Sequence, residues 1–377
     1  MSGGVDSSVA ALLMKEEGYD VTGAHMLCWD GCEDNADKRD AMRVCAKIGI
    51  PFKVFDFKKE YREKVFDYMV REYKSGRTPN PDVMCNSEIK FGIFLKNALE
   101  AGADYIATGH YVRRRPHLLS QTDNSSAPVA ADYLHSRPEN FRFAKDQAFR
   151  GCESFSKANE TVALISAMDT AKDQSYFLWT LTQNQLKRAL FPIGEYLKSE
   201  VRLMAKKAGL STAGKKDSQG LCFVGKVDFG EFLRQSLPQL KGDIMDSSGK
   251  KLGEHDGAHF FTLGQRHGLN IGGSAQPLYI AERNVAANTL VVARGDADPI
   301  LYRKELVAEN INWISGVPEF PLTCRARIRY RQLLQKCELA QNGEVIFEIP
   351  QRAVAPGQSI VFYSDFAEML GGGIIKE

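Results

Sequence analysis

Several things are scarce in this chain of 377 residues, and each absence excludes a class of protein. No apolar run approaches the ~18–20 residues needed to cross a bilayer, and no secretory-signal pattern opens the sequence. Eight cysteines (28, 32, 45, 85, 152, 222, 324 and 337) are too few for a disulfide scaffold of this length, so the thiols are expected reduced in a cytosol-like compartment. Net charge is only +2, from 49 basic and 47 acidic side chains, so any nucleic-acid contact must be built locally. No period of 20–50 residues repeats, which excludes a solenoid. What remains, 44% hydrophobic and 25% charged residues, is ordinary for globular protein, and at roughly 100–200 residues per domain it implies two or three domains.

The first 115 residues alternate strand and helix. Val9, Leu12 and Leu13 fall at helical spacing over 7–17, and Gly18 ends that helix. A strand at 20–26, a helix at 37–48, a strand at 51–57, helices at 59–74 and 87–101, and a buried strand at 104–108 follow. Strands separated by such helices predict an α/β fold with a doubly wound parallel sheet. Residues 116–168, rich in Ser, Asn, Asp, Ala and Pro, read as a partly flexible surface insertion. Helical patterning returns at 183–190 and 198–208. Beyond about 212 short strands and Gly-rich turns dominate, with strand candidates at 278–283, 289–294, 324–332, 344–349 and 359–364.

The opening Ser2-Gly3-Gly4-Val5-Asp6-Ser7-Ser8 runs straight into a helix. Paired glycines let backbone N–H groups converge, the helix N-terminus adds partial positive charge, and the serines add hydroxyls. This suits a phosphate or pyrophosphate, with Asp6 able to hold a magnesium ion; it is neither a Walker loop nor a GxGxxG turn. The competing reading is a Gly-rich turn capped by serine.

Two cysteines stand in contexts that favour reactivity. Cys85, in GRTPNPDVMCN (76–86), precedes a predicted helix whose first turn holds Ser87 and Glu88, so its thiolate is expected to be favoured, with Asp82 as a base or orienting group. The alternative is a small buried residue in a turn. Cys222, in KKDSQGLCFVG (215–225), sits among lysines and glycines in a mobile, electropositive loop. His25, Cys28 and Cys32 match no zinc spacing, so no metal centre is expected. Cys45, Cys324 and Cys337 read as packing residues, and Cys152 is uninformative. Arg325, Arg327, Arg329 and Arg331, at period two, would share one strand face suited to phosphates, unless that face is simply solvated.

SGGVDS resembles the pyrophosphatase loop of ATP-dependent enzymes that adenylate a carbonyl oxygen. A strand precedes that loop in the superfamily, whereas here the loop opens at Met1. Together, SGGVDSS, GRTPNPDVMCN, ADYIATGHY, KDQSYFLW, KKDSQGLCFVG, TLGQRHGL, RYRQ and PGQSIVFY closely resemble the bacterial-type tRNA-specific 2-thiouridylase family, in order along the whole chain apart from 116–168. The resemblance implies a pyrophosphatase-loop ATP-binding domain (1–212), a small central domain carrying the second cysteine (213–276) and a C-terminal β-barrel contacting tRNA (277–377). It implies ATP with Mg2+, held by Met1, Ser2, Gly3, Gly4, Val5, Asp6 and Ser7, with Met26 and Gly109 against the adenosine. Sulfur would arrive on Cys222 as a persulfide from a sulfur-donor protein or a cysteine desulfurase relay, and attack the adenylated C2 of the wobble uridine (position 34). Cys85 would resolve the sulfur–sulfur bond, leaving a Cys85–Cys222 disulfide for a reductant; a route in which Cys85 helps release hydrosulfide is the variant. Asn80, Pro81 and Asp82 would meet the flipped base, and His110, Lys172, Asp173, Gln174, Arg329, Tyr330 and Gln358 the tRNA. A monomer in the cytoplasm, away from membranes, is expected, with the mitochondrial matrix as the alternative location. The competing functions are a small-molecule C–N-forming ATP pyrophosphatase, which needs neither both cysteines nor an Arg-rich β-domain, and a tRNA-binding homologue that has lost activity.

Overall fold

The computed structural model describes residues 1–29, 36–116, 161–216, 233–234 and 236–376. Its N-terminal part opens with helix α1 (Val5–Glu16), then strand β1 (Gly23–Leu27), α2 (Ala36–Ile48) and β2 (Phe52–Asp56). Two long helical runs follow, α3 over 58–74 and α4 over 81–100, and each contains a stretch of wider, π-type turns. Next come β3 (Ile106–Ala107), β4 (Val112–Pro116), β5 (Val162–Ser166), the single turn α5 (Gln183–Leu186), β6 (Ala189–Leu190) and α6 (Lys198–Lys207). The helix expected over 183–190 is therefore only one turn, closed by a Thr182–Gln185 capping box, before the chain extends into β6.

The parallel α/β pattern takes the form of two two-stranded parallel pieces, β1 with β2 and β3 with β6. The buried face of α1 (Val5, Val9, Ala10, Leu13) packs with Val44 of α2, Tyr111, Ile193, and Val201 and Ala205 of α6. Burying such side chains contributes roughly 1.5–3 kcal/mol each, which fixes the position of the loop at the head of α1.

Residues 162–166 correct the reading of 116–168 as surface. β5 pairs antiparallel with β4, from Val112 opposite Ser166 to Pro116 opposite Val162, and four of its five residues are buried. Residues 117–160 of that stretch lie outside the described residues.

Beyond residue 240 the described chain is β-structure apart from two single helical turns, at Ala258–Phe260 and Pro299–Leu301. A central sheet has the order β8 (Lys251–His255), β7 (Gly242–Asp246), β10 (Thr289–Arg294), β9 (Leu278–Asn284). β10 pairs with both β7 and β9, so residues 278–294 belong to the central sheet, although the resemblance implied a barrel over 277–377. The barrel proper closes six strands in the order β11 (Tyr302–Trp313), β14 (Glu344–Arg352), β13 (Gln335–Leu339), β12 (Leu322–Arg327), β15 (Ser359–Tyr363), β16 (Glu368–Ile375) and back to β11. Closure leaves no free sheet edge. Beside it, β16 also pairs with β5, joining the barrel to the N-terminal part. Close approach there requires glycine: a Cβ on Gly372 would stand 2.7 Å from Trp179 Cγ and 2.8 Å from the Ile360 carbonyl.

Candidate active site

The phosphate loop forms as its residues dictate. Gly3 adopts φ +75, and a Cβ there would lie 2.2 Å from the Asp37 carbonyl oxygen, so only glycine fits. Gly4 is the N-cap of α1 and offers no side-chain cap, which leaves the first-turn amides of Val5, Asp6 and Ser7 for an anion. Ser2 and Ser7 hydroxyls meet at 3.0 Å on the exposed side. Ser8 turns inward instead, donating to Gly4 O at 2.8 Å and accepting from Thr212 at 3.1 Å. Lys215 clamps the loop to α2, donating to Gly3 O at 3.0 Å, Asp37 at 2.7 Å and Asp40 at 2.6 Å. Met1 donates its terminal amine to the Ala24 carbonyl, and its own carbonyl lies 2.8 Å from His25 Nδ1.

Met26, near the carboxyl end of β1, and Gly109, just after β3, lie where a parallel sheet presents ligands. A Cβ on Gly109 would be 2.7 Å from Ser7 N and 2.8 Å from the Asp6 carbonyl carbon, so this glycine lets two backbones touch. The acidic residue of the loop, Asp6, accepts from Lys198 Nζ at 2.7 and 2.8 Å and from Tyr111 OH at 2.9 Å. Lys198 escaped the reading of the sequence because it lies far along the chain in an unremarkable context, and Tyr111, the last residue of ADYIATGHY, because the motif does not say which side chain reaches the loop.

Cys85 does not stand at a helix N-terminus. The helix starts one turn earlier: Asn80 caps it, accepting from Val83 N at 3.3 Å, with Pro81 in the first position. The Asn-Pro pair carries that signal. Cys85 is fully buried (0% exposed), in an apolar cluster with Cys28, Tyr61, Val65, Phe66, Met69, Tyr73, Ile89, Leu233 and Leu237. Asp82 lies in the first turn of the same helix. Cys222 falls outside the described residues.

The loop leading to this helix is held by both β-domains. Thr78 N donates to Pro356 O at 2.7 Å, and Gln358 Nε2 donates to Thr78 O at 3.0 Å and Pro79 O at 3.1 Å. Arg77 pairs with Glu309 at 2.7 Å, while Arg283 of the central sheet donates to Gly76 O and, at 3.2 Å, to Thr78 Oγ1. Gln358, expected at the RNA, thus grips the Asn80-Pro81-Asp82 approach. Arg283 was missed, since one arginine in a predicted strand carries no signal.

The four arginines do not line up on one strand face: β12 ends at Arg327, and Arg331 has a left-handed backbone (φ +65). Arg327 is 5% exposed and Asp173 3%; they form an ion pair, with Arg327 also donating to Tyr363 OH at 2.7 Å and Ser175 Oγ at 2.9 Å. Burial pushes the Tyr363 hydroxyl up to about 12 despite Arg327, so it stays protonated. Arg325 pairs with Asp365 at 2.7 Å, and Arg329 donates to Ala353 O at 2.5 Å. Tyr330 packs on Phe177 with ring centres 4.6 Å apart.

Of the other expected RNA contacts, Asp173 is turned inward, accepting from Ala167 N at 3.1 Å and Ser175 N at 3.2 Å. Gln174 accepts from Tyr111 N at 3.0 Å, which ties the 172–174 stretch to the Asp6 partner; Lys172 is half-buried beside them. His110 is buried between Phe91 and Phe191, 2.9 Å from Thr108 Oγ1; burial holds its pKa well below the usual imidazole range, so it is neutral.

Among the described residues, Cys28, Cys45, Cys85, Cys324 and Cys337 carry no disulfide. Cys324 and Cys337 face each other across β12 and β13 at 3.7 Å inside the barrel core, and the neighbouring thiol and burial keep Cys324 protonated. Among the described residues no group of three or more His, Cys, Asp or Glu side chains could hold a metal ion, and no helix is long and apolar enough to cross a membrane.

Comparison with known proteins divides the chain into three parts, with the central sheet and the six-stranded barrel in separate ones. Residues 1–226 match the family described as the tRNA methyl transferase HUP domain, 230–294 the tRNA methyl transferase PRC-barrel domain, and 303–375 the aminomethyltransferase beta-barrel domain. The tRNA-specific 2-thiouridylase MnmA 2 of Geobacillus kaustophilus is 46% identical, covering 100% of this chain and 93% of the relative. The MnmA proteins of Bacillus subtilis and Francisella tularensis subsp. holarctica are 44% and 43% identical, covering all of this chain and 94% and 97% of their own lengths. With likeness of this extent in all three parts, the chain belongs to the tRNA-specific 2-thiouridylase family.

Proposed function

We propose that this protein catalyses ATP-dependent transfer of sulfur to C2 of the wobble uridine of tRNA, giving 2-thiouridine. The observation that carries the reading is the pairing of an uncapped, glycine-built phosphate loop at the head of α1 with the Asn80-capped helix that bears Asp82 and Cys85. The loop fits a nucleotide polyphosphate: free first-turn amides and the exposed Ser2 and Ser7 hydroxyls would receive phosphate oxygens, Asp6 would hold Mg2+, and Met26 and Gly109 would line the adenosine side. ATP supplies the adenylyl group that makes the C2 oxygen of uridine a leaving group.

The chain's own contribution is sulfur delivery. A persulfide on Cys222, acidic enough to be ionised at neutral pH, would donate its terminal sulfur to C2, with AMP departing. The Cys85 thiolate would then attack Cys222 Sγ. The sulfur–sulfur bond breaks, its electron pair stays on the uridine sulfur, and a Cys85–Cys222 disulfide remains for a thiol reductant. Asp82, three residues before Cys85, would take a proton or orient the base. Burial of Cys85 in the resting fold keeps it from oxidants and requires local opening when the two cysteines meet. A persulfide-donor protein or cysteine desulfurase relay is the partner this chemistry needs, and a reducing cytoplasm is the fitting location. Incubating tRNA with the protein, ATP and a persulfide donor, then quantifying nucleosides by mass spectrometry, tests the reading: 2-thiouridine must form with ATP and not without it.

A further inference from the structure

Resting on the nucleotide-binding reading of the loop, we propose that Lys198 is the phosphate-binding cation of this site, held in reserve by Asp6. The SGGVDSS loop contains no basic residue, although the polyphosphate it is built to receive is strongly anionic. Lys198 is the first residue of α6, 192 positions away, and its side chain is only 11% exposed. Its place is built from several sides. The backbone N–H donates to Asp169 at 2.9 Å, the side chain lies over the Tyr111 ring at 5.6 Å, and Nζ reaches both oxygens of Asp6.

A lysine buried to this extent requires an anion, and Asp6 supplies it. With Tyr111 OH also donating, the carboxylate already accepts three hydrogen bonds. A magnesium ion on Asp6 would compete directly with the ammonium for those same oxygens. The ammonium, displaced but still at the loop, would then face the incoming phosphate oxygens. The pair thus serves as an exchange: Asp6 passes from lysine to metal as Lys198 passes from carboxylate to phosphate. Without Lys198, Asp6 would confront the polyphosphate with uncompensated negative charge.

The test is calorimetric titration of the full chain with Mg·ATP, magnesium pyrophosphate and AMP, for wild type, Lys198→Gln and Lys198→Arg, with thermal melting alongside. Lys198→Gln is expected to bind Mg·ATP and pyrophosphate at least about tenfold more weakly, the loss of one charge-assisted hydrogen bond, while AMP affinity stays within about twofold. Lys198→Arg, which keeps the charge, is expected to retain pyrophosphate binding. Unchanged pyrophosphate affinity in Lys198→Gln, an equal loss for AMP, or an Arg variant as weak as the Gln variant would each overturn the assignment. If the wild type itself binds neither Mg·ATP nor pyrophosphate, the nucleotide reading falls and takes this inference with it.

Discussion

Replacing Arg327 by methionine separates a structural role from an RNA-binding one. The guanidinium sits at the seam between barrel and N-terminal part, with Asp173, Ser175 and Tyr363 around it and its charged centre 4.7 Å from the Tyr363 ring centre. Methionine fills much of the volume but leaves the Asp173 carboxylate, 3% exposed, with Ala167 N, Ser175 N and Ser175 Oγ as its donors among the described residues. Removing one partner of a buried ion pair costs about 3–5 kcal/mol, because the remaining charge cannot recover its hydration. Urea unfolding of Arg327→Met should therefore show a loss of that order, and adding Asp173→Ala should recover part of it, giving a coupling energy of about 0.5–3 kcal/mol. Filter-binding of tRNA across a salt series supplies the second readout. A phosphate contact would lower the slope of log K against log salt by about 0.7–0.9 on removal, whereas Arg327→Met should leave the slope unchanged. A variant of normal stability with a reduced salt slope would refute the structural assignment and restore Arg327 to the RNA.

Other outcomes follow from the same contacts. Gly357 has φ +91, and a Cβ there would stand 2.8 Å from Thr78 N, so Gly357→Ala should displace the 76–81 loop and lower thiolation about tenfold or more while Mg·ATP affinity in calorimetry stays within about twofold. Cys85, fully buried, should react with Ellman's reagent far more slowly in the native chain than in urea, and Leu237→Ala, which thins its apolar cover, should speed that reaction at least several-fold as read by labelling and peptide mapping. His110 has a folded pKa depressed by burial, so the unfolded chain binds the proton first. Its contribution to stability is complete above about pH 6.5 and is lost as pH falls towards the depressed folded value; urea midpoints at pH 7.5 and 5.5 should differ less in His110→Gln than in wild type.

Local chemistry that acts within a few residues is legible in the sequence. The glycine pair and the run into α1 announce the phosphate loop, and the alternation of apolar strands with amphipathic helices announces the parallel α/β part. What escaped depends on partners distant in the chain. Period two places Arg325 and Arg327 on one face, but it cannot say that Arg327 is covered by Asp173, Ser175 and Tyr363. Likewise nothing around Lys198 or Arg283 reveals that they reach residues 192 and more than 200 positions away. The start of the cysteine-bearing helix was legible in Asn80-Pro81 and was overlooked, because the more strongly helical pattern begins only after Cys85. Residues 162–166, short and apolar at the end of a polar stretch, could not declare themselves a strand without β4 and β16 beside them.

The most direct test of the two-cysteine chemistry is mass spectrometry of tRNA nucleosides after incubation with ATP and a persulfide donor, for the wild type, Cys222→Ala and Cys85→Ala. The wild type should yield 2-thiouridine, and both variants should yield none while still binding tRNA. Formation of 2-thiouridine at the normal rate by either variant would contradict the account.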